Sequence, residues 1–160
     1  MQTRENIFGK IADTLQSWIL YQPLKDEIDP KKIPFLTNVF DQRRVYKISK
    51  NKHEDPFSCA DSIAREVASS SCGILVPGSK FDAHGTRYGR GRGWFDRFLS
   101  AVPLSWTRIG VADNTRISKN ILTRKPWDEP VDWIIIRVGS TWKVAQTRAR
   151  SLTDGQTSDE

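Results

Sequence analysis

The chain has 160 residues, of which 38% are hydrophobic and 28% charged, a balance that suits a folded globular protein and excludes general disorder. A formal net charge of +6 favours anionic partners such as phosphates, polyglutamate or nucleic acid without choosing among them. With only two cysteines, Cys59 and Cys72, and with His53 and His84 not near them at a zinc-ligand spacing, neither a disulfide framework nor a structural zinc site is implied.

The opening residues lack the basic-then-apolar pattern of a secretory signal, and no apolar run reaches the length of a membrane span, so a cytoplasmic protein with no membrane partner is expected. Ile7, Ile11, Leu15 and Trp18 recur at helical spacing and predict an amphipathic helix over about 5–17. "SWILYQP" follows as a strand. Asp29 as a cap, Pro30 at a first helical position and an apolar face from Ile33 to Phe40 then predict a second helix. "RRVYKISK" alternates as a short strand, "NKHEDPFSCADS" is turn-rich, and "ADSIAREVASS" predicts a helix. "CGILVPG" is a continuous apolar run that stops at Pro77-Gly78, as a strand buried on both faces of a parallel sheet does. Trp94, Phe98 and Val102 at spacing four make "WFDRFLSAV" a helix, and "TRIGVAD" and "DWIIIRVG" are two further strands. Strands alternating with helices predict an α/β fold, a three-layer αβα arrangement with a mainly parallel, Rossmann-like sheet. One domain is expected over 1–146, followed by a polar tail, 147–160, expected to be disordered.

The chemistry concentrates between the buried strand and the helix, in "AHGTRYGRGRGWFDRFLS". Gly89, Gly91 and Gly93 let backbone amides approach an anion, and the following helix N-terminus adds unpaired N–H groups. Arg90 and Arg92 can grip phosphate oxygens, and Asp96 stands where a carboxylate could hold a magnesium ion. The segment fits neither the Walker pattern nor the dinucleotide fingerprint. Two other readings stay open: a surface turn whose Asp96 pairs with an arginine, and an arginine-glycine segment with aromatics for stacking nucleic-acid bases. The second is disfavoured, because a low-complexity tail is not normally found between a buried strand and a helix.

"LVPGSKFDAHGTRYGRGRGWFDRFL", residues 75–99, closely resembles the signature of the 5-formyltetrahydrofolate cyclo-ligase family. There a Val-Pro-Gly strand end is followed by Phe-Asp, Gly-x-Arg-Leu-Gly, a Gly-rich turn, two aromatics and an Asp. "YQPLKDEIDPKKI" and "WDEPVDWIII" resemble two further pieces of the same pattern. The resemblance implies a cyclo-ligase-type fold and ATP- and Mg2+-dependent closure of 5-formyltetrahydrofolate to 5,10-methenyltetrahydrofolate, with release of ADP and phosphate. It implies ATP contacts at Arg87, Tyr88, Gly89, Arg90, Gly91, Arg92, Gly93, Trp94 and Phe95, with Arg90 and Arg92 catalytic. It further implies folate contacts at Gln22, Glu27 and Arg90 to Trp94, and magnesium ligands at Asp96 and Asp132. For Asp132 a capped strand start, and for Glu27 a solvated helix-end charge, are the plain alternatives.

The chain departs from the family pattern in places. Only some 17 residues, with Arg4 and Lys10, precede the first strand where the family has a longer cationic helix. Ile136-Arg137 stands where the family tends to have Thr-Glu, Arg116 where a Gln is common, and Trp94-Phe95 where two tyrosines are usual. Three functions are therefore expected in descending order: a cyclo-ligase, a cyclo-ligase-like binder of nucleotide or folate without turnover, and a basic nucleic-acid binder. Under the first, 5-formyltetrahydrofolate with or without a polyglutamate tail is the expected partner, and a monomer is expected.

Overall fold

In the computed structural model, which describes residues 3–48, 54–68, 71–90 and 93–148, a six-stranded sheet forms the centre. Its strands are β1 (Ser17–Tyr21), β2 (Arg44–Ile48), β3 (Cys72–Pro77), β6 (Thr107–Asp113), β7 (Trp133–Val138) and β8 (Thr141–Gln146), in the order β2-β1-β3-β6-β7-β8. The first five run parallel, and β8 returns antiparallel along β7. Strand alternation sends Trp18, Leu20, Leu75, Ile109, Val111, Trp133 and Ile135 to one face and Ile19, Ile74, Val76, Ala112 and Ile134 to the other.

Helix α1 (Arg4–Thr14) and the connection between β1 and β2 cover the first face, through Phe8, Ala12, Ile33 and Leu36. Helices α3 (Pro56–Val67) and α4 (Trp94–Ala101) cover the second, through Cys59, Ala60, Ile63, Phe98 and Leu99. The expected three-layer αβα architecture is therefore present. Among the described residues, no helix is long and apolar enough to cross a membrane. Both cysteines are free and buried, and burial pushes their thiols up, to about 11 for Cys59 and about 12 for Cys72.

Several elements differ from their sequence expectation, each for a local reason. α1 ends at Thr14, and Trp18 belongs to β1, so the helical spacing that joined them crosses an element boundary. The helix expected from Pro30, with its apolar face from Ile33 to Phe40, breaks into two 3-10 turns, Pro30–Lys32 and Pro34–Leu36, and a short α2 (Thr37–Asp41), because Pro34 lacks the N–H an α-helix needs there. α3 starts earlier than expected, since the Asp55 side chain accepts the Ser58 N–H and Pro56 fills the first helical position. No α-helix joins β6 to β7, only a 3-10 turn at Asn114–Arg116 and an irregular strap, so strands and helices do not alternate throughout. β8 was not expected, and the polar tail lies, from residue 149 on, outside the described residues.

The chain leaves β1 for β2 on one side, then returns to lay β3 on the other side of β1. This reversal leaves a crevice at the carboxyl ends of β1 and β3.

Candidate active site

A cleft of about 840 Å³ opens at that reversal. Its floor is not the plain loop expected after β3 but a small hairpin, β4 (Lys80–Phe81) against β5 (Arg87–Tyr88). Phe81 is fully buried and packs where side chains would obstruct it: a Cβ on Gly110 would meet its ring at 2.5 Å and one on Gly78 at 2.8 Å. Asp82, 1% exposed, ties the hairpin together. One of its oxygens accepts the N–H groups of His84 (3.0 Å) and Thr86 (2.9 Å), and the other accepts that of Leu122 (2.7 Å). The strap between β6 and β7 is held against the hairpin by Arg124, which donates to Thr86 Oγ1 and to the His84 carbonyl, and by the Tyr88 hydroxyl on the Thr123 carbonyl.

Arg87 enters the cleft from beneath. Its side chain is 4% exposed, its Nε donates to the Pro77 carbonyl at 2.7 Å, an Nη stands 3.5 Å from Asp96, and the guanidinium lies 5.3 Å from the Phe95 ring centroid. Burial pushes its pKa down while Asp96, Glu27 and Asp128 oppose, and an arginine so surrounded keeps its charge at neutral pH. Asp96 is pushed up, first by burial and further by Asp128 and Glu129, against the Glu129 N–H it accepts and the Arg87 charge. A carboxylate crowded by others in a half-buried site gains from a cation.

Gly93 has φ of 67°, a left-handed conformation that suits glycine, and from it α4 starts with its amino end toward the cleft. Trp94 stacks on Phe98 at 5.4 Å and donates its Nε1 to the Glu54 carbonyl, so the aromatic pair is anchored on the helix side.

The opposite wall comes from the end of β1. Tyr21 donates its hydroxyl to the Ile28 carbonyl, closing the turn that holds Glu27. Glu27 is 9% exposed; one oxygen accepts the Leu24 N–H and the other is 3.5 Å from Arg90 Nε. Arg90 reaches across to Asp26 at 2.6 Å, and Arg116 grips the other oxygen of Asp26 at 3.1 Å. These two arginines hold the exposed Asp26 carboxyl down to about 2.

Of the residues expected in the site, Gln22, Glu27, Arg87, Tyr88, Gly89, Arg90, Gly93, Trp94, Phe95 and Asp96 all line this cleft. Gly91 and Arg92 lie outside the described residues. Asp132 is not brought to the cleft. It precedes β7 at that strand's amino end, where one oxygen accepts the Arg108 N–H at 2.9 Å and its own N–H donates to the Arg108 carbonyl, the strand-start role that was its plain alternative. The aspartate that shares the cleft with Asp96 is Asp128, the first Asp of the same Asp-Glu-Pro-Val-Asp run. The sequence reading also missed Asp26, Lys125 and Trp127. Arg116 and Arg137, two of the departures from the family pattern, are both paired, with Asp26 and Asp113.

A mainly parallel αβα sheet with a charged, glycine-edged cleft at its strand reversal is the design of a doubly wound α/β ligand-binding protein. The sequence model of the 5-formyltetrahydrofolate cyclo-ligase family matches residues 60–137, a stretch that includes the hairpin, α4 and the strap. A 5-formyltetrahydrofolate cyclo-ligase of Mycoplasma genitalium is 28% identical over 127 residues, covering 76% of this chain and 73% of its own. Two solved structures share the fold. A 5,10-methenyltetrahydrofolate synthetase from Mycoplasma pneumoniae has a TM-score of 0.51 and 19% identity, covering 85% of this chain and 88% of that one. The synthetase of Aquifex aeolicus has a TM-score of 0.57 and 20% identity, covering 92% and 86%.

Proposed function

We infer that the protein catalyses the ATP-dependent closure of 5-formyltetrahydrofolate to 5,10-methenyltetrahydrofolate, releasing ADP and phosphate. The observation that carries this reading is the meeting, in one cleft, of Arg87, Gly89, Arg90 and Gly93 on one wall with the buried carboxylate of Glu27 on the other. A cation-rich wall suits a polyphosphate. A carboxylate with restricted water access suits the paired N–H groups of an aminopyrimidinone ring.

In this chemistry the formyl oxygen attacks the terminal phosphorus of ATP, the bond to the bridging oxygen breaks, and ADP leaves. N10 then attacks the activated formyl carbon, loses its proton, and phosphate departs with the former formyl oxygen. Such a reaction calls mainly for positioning and charge neutralisation. Arg87, fixed on the Pro77 carbonyl, holds positive charge on the cleft floor, and Arg90 supplies a second, mobile charge at the rim once it leaves Asp26. Arg92 would add a third. A magnesium ion, where bound, neutralises phosphate charge; Asp96 and Asp128 would hold it. Their shared place in the cleft is the fit, because a hard dication prefers carboxylate oxygens and would offset the burial, and the lesser repulsion from Asp128 and Glu129, that push Asp96 up. Among the described residues no group of three metal-ligating side chains is assembled, so phosphate oxygens and water would complete its shell.

The test is absorbance in the methenyl band as purified protein meets 5-formyltetrahydrofolate, ATP and magnesium, beside Asp96→Asn. An ATP-dependent rise, cut at least a hundredfold in the variant, is the expected outcome. A folded protein that binds ATP and folate without any rise would instead be a binder that has lost turnover, a reading favoured by the engagement of Arg90 and Arg116 on Asp26.

A further inference from the structure

Five large hydrophobic side chains are conspicuously exposed among the described residues: Phe35, Phe57, Leu104, Ile121 and Trp127. Only Trp127 among them lines the cleft, and it is 65% exposed. Its backbone is nevertheless fixed. Lys125 to Asp128 form a turn in which the Asp128 N–H donates to the Lys125 carbonyl (3.0 Å) and an Asp128 oxygen accepts the Lys125 N–H (2.8 Å). Pro126 stands second in that turn, where its fixed φ is favourable. On one side the strap is pinned by Arg124 and Thr123, and on the other the Glu129 N–H donates to Asp96. The Lys125 ammonium lies 5.4 Å from the Trp127 ring centroid.

A large indole held over a cleft on a braced turn costs little to order when it meets a ligand, because few torsions remain to be frozen. With an ammonium beside it, the pair matches one chemistry: a planar aromatic ring whose substituent carries an anion. We propose that Trp127 and Lys125 form a binding platform for such a ring, a role for these side chains that rests on the cyclo-ligase reading of the cleft. Two parts of the reactants have this chemistry, the adenine of the nucleotide with its phosphates and the aminobenzoyl ring of the folate with its glutamate carboxylates. Trp127 takes one of them, and Lys125 pairs with the anion that follows.

Calorimetric titration of the full chain with ADP and, separately, with 5-formyltetrahydrofolate tests this and identifies the ring. Trp127→Ala is expected to weaken one ligand by about tenfold and leave the other within twofold, with Trp127→Phe recovering most of the loss. Lys125→Gln should weaken the same ligand and reduce the salt dependence of its binding. Thermal midpoints should be unchanged, since the ring is exposed. Undiminished binding of both ligands by Trp127→Ala, or equal weakening of both, overturns the platform while leaving the cyclo-ligase reading intact. Binding of neither ligand by the unaltered chain overturns that reading, and the platform with it.

Discussion

The floor of the cleft and its rim are built from the same residue types to opposite effect. On the floor, Asp82 and Arg87 are almost wholly buried, and their polar atoms meet backbone groups: three N–H groups for Asp82, the Pro77 carbonyl for Arg87. At the rim, Arg90 and the half-buried Arg116 both pair with the exposed Asp26 carboxylate, and Arg116 also donates to the Asp26 carbonyl. A buried ionic group tied to backbone sets geometry, and removing its partner is costly. An exposed ion pair adds little to stability and can exchange partners when an anion arrives. The floor therefore fixes the shape of the cleft, and the rim is free to rearrange when an anion arrives.

The largest effect is expected at Asp82. Replacing it with alanine strands three backbone donors around the hairpin and the strap, and should lower stability by about 4 kcal/mol, roughly 10 °C in the thermal midpoint. A loss no larger than that of a rim substitution, read by calorimetric or circular-dichroism melting, would break the distinction between floor and rim.

Arg87→Met comes next. It removes the partner of Asp96 and the donor to Pro77, and should cost about 3 kcal/mol together with most of the turnover. If turnover falls while the midpoint stays, Arg87 belongs functionally with the rim in spite of its burial.

These two residues also show what could be read from the sequence and what could not. The strand ending at Pro77, the parallel sheet and α4 were legible, because a continuous apolar run and a spacing of four report burial directly. Glu27 was legible only through a family pattern, whereas the glycine-rich segment already read as an anion site from its glycines and arginines, and the family pattern chose among its readings. Arg87 reads there as a phosphate contact, and nothing in its neighbours announces a buried arginine donating to a carbonyl ten residues back. The β4–β5 hairpin escaped since two-residue strands have no periodicity. Asp128 was passed over for Asp132 because both stand in one run, and only the path of the strap decides which faces the cleft. Asp26 and Arg116 are 90 residues apart, and their pairing is a product of topology. β8 is a different case: "TWKVAQ" alternates, and its signal was present but unused.

The smallest effect, and the sharpest on the rim, is expected at Asp26. Asp26→Asn should move the thermal midpoint by no more than roughly 2 °C, as exposed substitutions do, and should tighten ADP binding about threefold by releasing Arg90. Removing a negative charge near the cleft would also favour an anion without any release, so the variant alone does not separate the two causes. A double-mutant cycle with Arg90→Ala does: released Arg90 predicts that the gain vanishes in the Arg90→Ala background, whereas a simple field effect survives there. The pH dependence sharpens the same point. The Asp26 carboxyl is held at about 2 against its ordinary 3.8, so the pair's contribution is complete above about 4 and is lost as pH falls through about 2. Near neutrality, then, added salt should loosen the Arg90–Asp26 contact while a change of pH should not, and a pH step in ADP affinity between 5 and 8 would have to come from another group.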